Sequence, residues 1–321
     1  MKIKETDSQK QTSGFSSDRV VIGADLGGTH LRAATVDGQG RIHERTKQRT
    51  PRDERAEEIV RALVSAARKF EQRSRERGQT ISALSVAVPG TVQTESGVVM
   101  KAPNLPSLNG FRLGAALASE LDWPVVVEND VNAAAVGEAW QGAARGFGTS
   151  ICIMLGTGVG GGVILNNELW RGIDGTGGEI GHITVEPLGA PCGCGNRGCV
   201  EVYGSATAIV RMTRELSPRY PQSRLPASEQ LTAEEVYKSG LAGDELALEV
   251  FRRVGVYLGI ALGGLINVLN PEVIVIGGGA AGGWELFIEH LHSEVAARAF
   301  AVPAKRAQIV RAECGDDAGI L

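Results

Sequence analysis

One histidine and three cysteines stand close together in the second half of the chain, at His182, Cys192, Cys194 and Cys199. The spacing His-x9-Cys-x-Cys-x4-Cys supplies the four soft ligands of a closed tetrahedral zinc site. Glycines between and beside the cysteines allow the chain to turn tightly around an ion. Because protein ligands fill all four positions, we predict a structural zinc rather than a catalytic one. The alternative is a cluster of thiols without a metal.

The segment Asp25-Leu26-Gly27-Gly28-Thr29 has the composition of a phosphate-binding turn. Glycines let successive backbone N–H groups converge on phosphate oxygens, and the Thr29 hydroxyl adds a donor. Asp25 ends a predicted strand, where a carboxylate holds Mg²⁺ through water molecules. An ordinary hairpin turn is the alternative.

Similar glycine turns follow later strands, at Gly156-Thr157-Gly158 and at Gly277-Gly278-Gly279. Their recurrence favours phosphate binding over a simple hairpin turn. The segments do not form a Walker A loop, because no Gly-Lys-Ser/Thr stands in the required place.

The segment Glu128-Asn129-Asp130 comes after a short apolar strand and opens an alanine-rich helix. A carboxylate at such a strand end can accept the proton of an attacking hydroxyl. Phosphoryl transfer requires little more from a protein than such a base, positioning and charge stabilisation. The alternative is that Asn129 or Asp130 only caps the helix.

Two further carboxylates, Glu179 and Glu201, flank the predicted zinc ligands. A carboxylate accepts directed hydrogen bonds from sugar hydroxyls, so both are candidate sugar ligands. Considered without their context, they are typical of a charged surface.

Strands, glycine turns and helices alternate in a way that places these residues at strand ends. We predict strands at Val20–Asp37 (two, around the first glycine turn), Ile81–Val88, Val125–Val127, Ser150–Asn166 (two, around the second turn) and Glu272–Ile276. Helical spacing is present between Thr50 and Glu76. We also predict a short helix at Leu113–Leu121. The segment Leu246–Asn270 is apolar nearly all round, which predicts one buried helix or a pair of them.

The strand–glycine turn–strand pattern occurs twice, which predicts two related α/β lobes facing each other across a cleft. We expect a disordered leader at 1–18, a first lobe at 19–127 and a second, larger lobe at 128–321. The zinc-binding segment would occupy 178–201, and the extreme C-terminus would pack back on the first lobe.

Composition excludes several classes of protein. The net charge of −4 argues against a broad basic surface for nucleic acid or lipid. No apolar stretch reaches the ~18 to 20 residues of a membrane span. Clustered cysteines in a chain of this size indicate metal binding rather than disulfides. We therefore predict a cytoplasmic protein with no nucleic-acid or membrane partner.

Taken together, these motifs resemble the ROK family (repressors, open reading frames and kinases). The resemblance runs from about Val21 to Gly315. Its most specific parts are Gly178-Glu179-Ile180-Gly181-His182 and Cys192-Gly193-Cys194-Gly195-Asn196-Arg197-Gly198-Cys199. Supporting parts are Asp25–Thr29, Ala102-Pro103-Asn104-Leu105-Pro106 and Glu128–Ala135. It implies an α/β protein with the two-lobed actin-like, ribonuclease-H-like ATPase fold.

The resemblance also implies roles for individual residues. Asp130 would be the catalytic base, and His182 would bind zinc through one ring nitrogen and face the sugar with the other. The remaining sugar ligands would be Asn104, Asn129, Glu179 and Glu201. The phosphates would bind at Gly27, Gly28, Thr29, Thr157 and Gly158, and the nucleotide near Gly278 and Gly279.

The chain departs from the family pattern at three places. Leu108 replaces a frequent aromatic residue and would alter one edge of the pocket. His30 stands where relatives often have lysine or asparagine. The chain stops at Leu321, where relatives usually continue into a final helix. We therefore expect the first lobe to be less stable.

Three functions fit the resemblance. The first is an ATP-dependent hexose kinase, with glucose favoured and an N-acetylhexosamine or another hexose as the alternative. ATP, Mg²⁺ and a structural zinc would be its cofactors, and it would assemble as a homodimer or homotetramer. The second is a sugar-sensing repressor, disfavoured because only about 19 polar residues precede the first strand. The third is a sugar-binding protein without activity, disfavoured by the intact Asp130 and glycine turns.

Overall fold

The structure is a computed structural model that describes residues 18–51, 55–225 and 230–321. The predicted leader, apart from Asp18, lies outside the described residues. Among the described helices, none combines the length and apolarity that crossing a membrane requires.

The first sheet has five strands in the order β3-β2-β1-β4-β7. Their bounds are β1 (Arg19–Leu26), β2 (His30–Asp37), β3 (Ile42–Arg49), β4 (Thr80–Val88) and β7 (Val125–Asn129). A small hairpin, β5 (Thr91–Gln93) and β6 (Val98–Lys101), lies between the last two strands in sequence. Helices α1 (Ala56–Glu76) and α2 (Leu113–Ala118) pack beside this sheet. Helix α1 buries a stripe at helical spacing that includes Ile59, Leu63 and Phe70.

The second sheet repeats the topology of the first in the order β10-β9-β8-β11-β12. Its strands are β8 (Ser150–Leu155), β9 (Val159–Leu165), β10 (Glu168–Leu169), β11 (Val273–Gly277) and β12 (Gln308–Arg311). In both sheets an antiparallel hairpin surrounds a glycine turn, and two later strands add in parallel on its other side. The predicted internal repeat and the α/β fold class are confirmed.

Helix α3 (Asp130–Gln141) follows the last strand of the first sheet directly. The other helices belong to the second half of the chain: α4 (Glu201–Gly204), α5 (Ala206–Leu216), α6 (Ala233–Leu241), α7 (Glu245–Leu269), α8 (Trp284–Arg298) and α9 (Ala301–Arg306). Helix α7 is buried along much of its length, as its apolar sequence predicts, and it ends at Asn270 in the left-handed conformation before Pro271.

Two large cores lie against the two sheets, one containing β1, β4 and α1 and the other β8, β11 and α7. The last residues of the chain return to the first sheet, where Ile320 packs in a small cluster with Ala34 and Val36. Leu108 is fully buried in the first core. Its side chain therefore faces the inside of the lobe, and its effect on the pocket edge stays a prediction.

The sequence patterns misplaced or missed several elements. Strand β7 continues through Glu128 and Asn129, and α1 begins at Ala56 rather than near Thr50. Strand β3 was not predicted because it is an edge strand of mostly charged and polar residues whose side chains alternate between half-buried and exposed. Helices α5, α6 and α8 were also not predicted individually.

Candidate active site and metal centre

Asp130 is the first residue of α3, at the point where β7 ends. The preceding Asn129 caps the helix, because its Oδ1 accepts hydrogen bonds from the backbone N–H groups of Val131 and Asn132, both at 2.9 Å. Its Nδ2 donates to the carbonyl of Gly90 at 2.8 Å and to Asp130 Oδ1 at 3.2 Å. The capping alternative thus applies to Asn129, which holds Asp130 in place.

Asp130 is half-buried, and its carboxyl lies in a negative environment. Burial raises the pKa of Asp130 to about 7, and the charges of Asp25 and Glu179 add to the effect. Burial also raises the pKa of Asp25, although the Arg32 guanidinium 3.7 Å away opposes this. A carboxyl with a pKa near neutrality suits a general base, since it accepts a proton and still ionises at cellular pH.

The first glycine turn is held by its own backbone and by Thr50. Gly27 N–H donates to the His30 carbonyl at 3.0 Å, and the Thr50 hydroxyl donates to the Gly27 carbonyl at 2.6 Å. Gly28 lies against Asn104, since a Cβ added there would stand 3.0 Å from Asn104 Cβ. The structure therefore brings the exposed Asn104 next to the first predicted phosphate turn.

The second glycine turn and the third lie side by side. They follow β8 and β11, which are neighbouring parallel strands, so both leave the same edge of the second sheet. Gly278 has a φ of +86°, and a Cβ there would come within 2.5 Å of the Leu155 carbonyl oxygen. A Cβ on Gly279 would meet nothing within 4 Å, which leaves open space beside this turn. The Thr207 hydroxyl donates to the Thr157 carbonyl at 2.9 Å.

The histidine and three cysteines converge as the spacing predicted. Their ligand atoms all lie within 4.8 Å of one another, with 3.7 Å between the sulfurs of Cys194 and Cys199. Tetrahedral Zn–S bonds of about 2.3 Å would separate two sulfurs by about 3.8 Å. The donors and their spacing fit a zinc ion. Burial and the neighbouring thiols raise the pKa of Cys199 to about 12, and a bound cation would counter this by stabilising the thiolate.

The two ring nitrogens of His182 face different partners. Nδ1 lies 3.7 Å from the Cys192 sulfur, and Nε2 lies 3.8 Å from a carboxylate oxygen of Glu179. The ring therefore lies between the cysteines and the side chain of Glu179, which is half exposed. The double role of His182 stays a prediction, and these two distances are compatible with it.

Glu201 connects the cluster of His182 and the three cysteines to the second glycine turn. One carboxylate oxygen accepts the Val159 N–H at 3.1 Å, and the other lies 3.7 Å from the Cys192 sulfur. A Cβ on Gly158 would stand 2.3 Å from the first of these oxygens. Glu201 thus has partners within the protein, whereas the sequence suggested either a sugar ligand or a charged surface residue.

Sequence reasoning missed the ion pair between Glu128 and Arg171. The Arg171 Nε donates to Glu128 Oε2 at 2.6 Å, and the Glu128 side chain is only 8% exposed. Glu128 Oε1 also accepts from the Asn129 N–H and from Asn132 Nδ2. The pair ties the start of α3 to the loop that leads to Glu179. No local pattern marks a partner 43 residues away.

Comparisons with known proteins show the family to which the chain belongs. A model of the ROK family matches residues 21–321. The chain is 36% identical over 310 residues to a glucokinase from Halalkalibacterium halodurans, a match that covers 95% of this chain and 94% of that protein. The chain belongs to the ROK family. The membership expected from the motifs is confirmed, and with it the actin-like, ribonuclease-H-like fold.

Members of the ROK family with different functions are similar to this chain. A ROK glucokinase from Streptomyces griseus, solved in complex with glucose and AMPPNP, superposes with a TM-score of 0.78 at 33% identity. The superposition covers 94% of this chain and 96% of that one. A xylose repressor from Caldicellulosiruptor bescii is 29% identical over 304 residues, which are 94% of this chain but 76% of the repressor.

Proposed function

We propose that this chain is an ATP-dependent hexose kinase that converts glucose and ATP into glucose 6-phosphate and ADP. The observation that carries the proposal is Asp130, a half-buried carboxyl with a pKa near 7 at the start of α3. The glucokinase relatives support the choice of substrates, because two of them match nearly the full length of the chain.

Asp130 would accept the proton of the sugar hydroxyl as its oxygen attacks the γ-phosphorus of ATP. The new oxygen–phosphorus bond forms while the bond to the β-phosphate oxygen breaks, and ADP leaves with that electron pair. Asn129 orients the base through its hydrogen bond to Asp130 Oδ1. Proximity of base and hydroxyl, with the phosphates fixed beside them, then supplies most of the catalysis.

The phosphates would bind at the glycine turns, through Gly27, Gly28 and Thr29 on one side and Thr157 and Gly158 on the other. Gly278 and Gly279 would border the nucleotide, where the open space next to Gly279 leaves room for it. Asp25 would hold Mg²⁺ through water, and the ion would neutralise charge on the phosphates. A carboxylate at the end of β1, whose pKa burial raises, is stabilised by such a cation.

The sugar would contact Asn104, Glu179 and His182, whose side chains are exposed or half-buried. Asn129 and Glu201 have hydrogen-bond partners inside the protein, so we assign them a positioning role, and their contact with the ring hydroxyls stays a prediction. Zinc held by His182, Cys192, Cys194 and Cys199 would fix the orientation of the His182 ring through one of its nitrogens. We further propose a cytoplasmic homodimer or homotetramer.

The test is ADP release, measured with Mg²⁺·ATP across glucose, mannose, N-acetylglucosamine, N-acetylmannosamine, fructose and allose. Glucose should give the highest kcat/KM. A preference for an N-acetylhexosamine would retain the kinase but change its substrate. Absence of turnover on every sugar, with glucose binding still detected by calorimetry, would refute the proposal and favour a sensor such as the repressor relatives.

A further inference from the structure

Glu138, on the same helix as the proposed base, is a carboxylate buried completely inside the protein. Its Oε1 accepts the Cys314 N–H at 2.8 Å, and its Oε2 accepts the N–H groups of Ala143 at 2.8 Å and Glu313 at 3.2 Å. Within the part of the chain that the structure describes, it forms no salt bridge with a basic side chain. Three charge-assisted hydrogen bonds therefore offset its burial.

The bonds to Glu138 fasten the start of the segment Glu313–Leu321, which we call the C-terminal segment. This segment then runs between α3 and β1 at backbone contact. A Cβ on Gly137 would stand 2.3 Å from the Ala318 carbonyl oxygen, and a Cβ on Gly23 would stand 2.0 Å from that of Ile320. Only glycine permits so close an approach on both sides.

Gly319 in the C-terminal segment lies beside the Asp25 side chain and beside the backbone of Asp130. A Cβ on Gly319 would lie 3.8 Å from Asp25 Cγ and 3.9 Å from the Asp130 carbonyl oxygen. Asp316 pairs at 3.2 Å with Arg32, whose guanidinium also faces Asp25. The segment therefore lies next to Asp25, the proposed magnesium ligand, and next to the backbone of Asp130, the proposed base.

We propose that Glu138 is a positioning residue, which fastens the C-terminal segment and thereby fixes Asp25 relative to Asp130. The inference rests on the proposed kinase function. Asp25 acts on the Mg²⁺·nucleotide and Asp130 on the sugar hydroxyl, so an error in their spacing impairs nucleotide binding and phosphoryl transfer. Glucose bound against Asn104 and Glu179 does not depend on this spacing.

The test compares Glu138→Gln with wild type and with Glu215→Gln, an exposed partner of Arg211 that serves as the matched control. Glu138→Gln keeps one acceptor oxygen but turns an NH₂ group towards backbone N–H donors. We expect a fall in kcat of about tenfold and a rise in the Kd for Mg²⁺·ADP of about fivefold. The Kd for glucose, measured by calorimetry, should stay within about twofold of wild type. The control should match wild type throughout.

A milder variant, Arg45→Ala, removes the exposed ion pair to Asp317 at 2.5 Å and leaves Glu138 in place. It should lower kcat and raise the Kd for Mg²⁺·ADP, each by a smaller factor than Glu138→Gln does. The inference therefore stays testable if Glu138→Gln does not fold. Unchanged kcat and Mg²⁺·ADP affinity in Glu138→Gln would overturn the inference, as would an equal loss of glucose binding. Calorimetry of Mg²⁺·ADP and glucose binding does not require turnover. An inactive wild type would therefore refute the kinase proposal, and the binding measurements would still test the role of Glu138.

Discussion

Replacing Asp130 with asparagine should stabilise the protein while it removes activity. Asparagine has nearly the shape of aspartate and keeps the oxygen that accepts from Asn129 and Val131. It carries no charge, so it removes the unfavourable burial of a carboxylate beside Asp25 and Glu179. The substitution therefore removes the proton acceptor while it preserves the shape of the side chain.

The magnitude follows from the pKa of Asp130, which is about 7 in the fold against an ordinary 3.8. The unfolded chain ionises from about pH 4, whereas the folded protein keeps the proton until about pH 7. Ionisation of Asp130 therefore lowers the free energy of unfolding as pH rises from about 4 to about 7. Above about pH 7 this loss of stability is complete. The stability gained by Asp130→Asn should be about 2 kcal/mol at pH 5 and about 4 kcal/mol at pH 8.

The assay is urea unfolding without ligands at pH 5 and pH 8, for wild type, Asp130→Asn and the control Asp122→Asn. Asp122 is 86% exposed, so its variant should show no gain that depends on pH. ADP release by Asp130→Asn should fall by a factor of at least about 1,000. A stability gain that is equal at the two pH values, or absent at pH 8, would refute the environment described for Asp130.

Three further predictions concern the base, the metal and the loop before Glu179. Below about pH 7, kcat/KM for glucose should fall tenfold per pH unit because protonated Asp130 cannot accept a proton; a flat profile from pH 5.5 to 8 would contradict this. Cys192→Ser, or zinc removal by a chelator, should lower the free energy of unfolding by at least about 3 kcal/mol in urea titrations. A metal-free preparation of full stability would argue against the zinc site. Arg171→Gln should raise KM for glucose about fivefold with a smaller change in kcat, because the loop to Glu179 loses its tie to Glu128. Arg171→Lys should give a KM for glucose between those of wild type and Arg171→Gln. Equal KM values in wild type and both variants would contradict a role of the Arg171–Glu128 ion pair in glucose binding.

The features that sequence predicted best are local ones. The four predicted metal ligands lie within one short segment, so glycine and cysteine spacing was sufficient to predict that they meet. The glycine turns and Asp130 follow apolar strands, and parallel strands in turn place such ends at a common edge. The fold class followed from the same repeated pattern.

The features that sequence could not supply depend on distant partners. Glu128 binds Arg171 across 43 positions, and Glu138 binds the backbone of Cys314 across 176. A glutamate has no local property that distinguishes a buried structural role from a solvated surface. For Asn129, capping and sugar binding were both open in the sequence, and only the bonds of its side chain show the cap.

The measurement that tests the central claim most directly is phosphorus NMR of glucose, ATP and Mg²⁺ incubated with wild type and with Asp130→Asn. Wild type should produce the resonance of a hexose 6-phosphate in step with ADP, and the variant should not, although calorimetry still detects its glucose binding. A sugar phosphate formed equally fast by the variant would place the base elsewhere. Glucose bound by wild type without any phosphoester, from glucose or another hexose, would contradict the kinase.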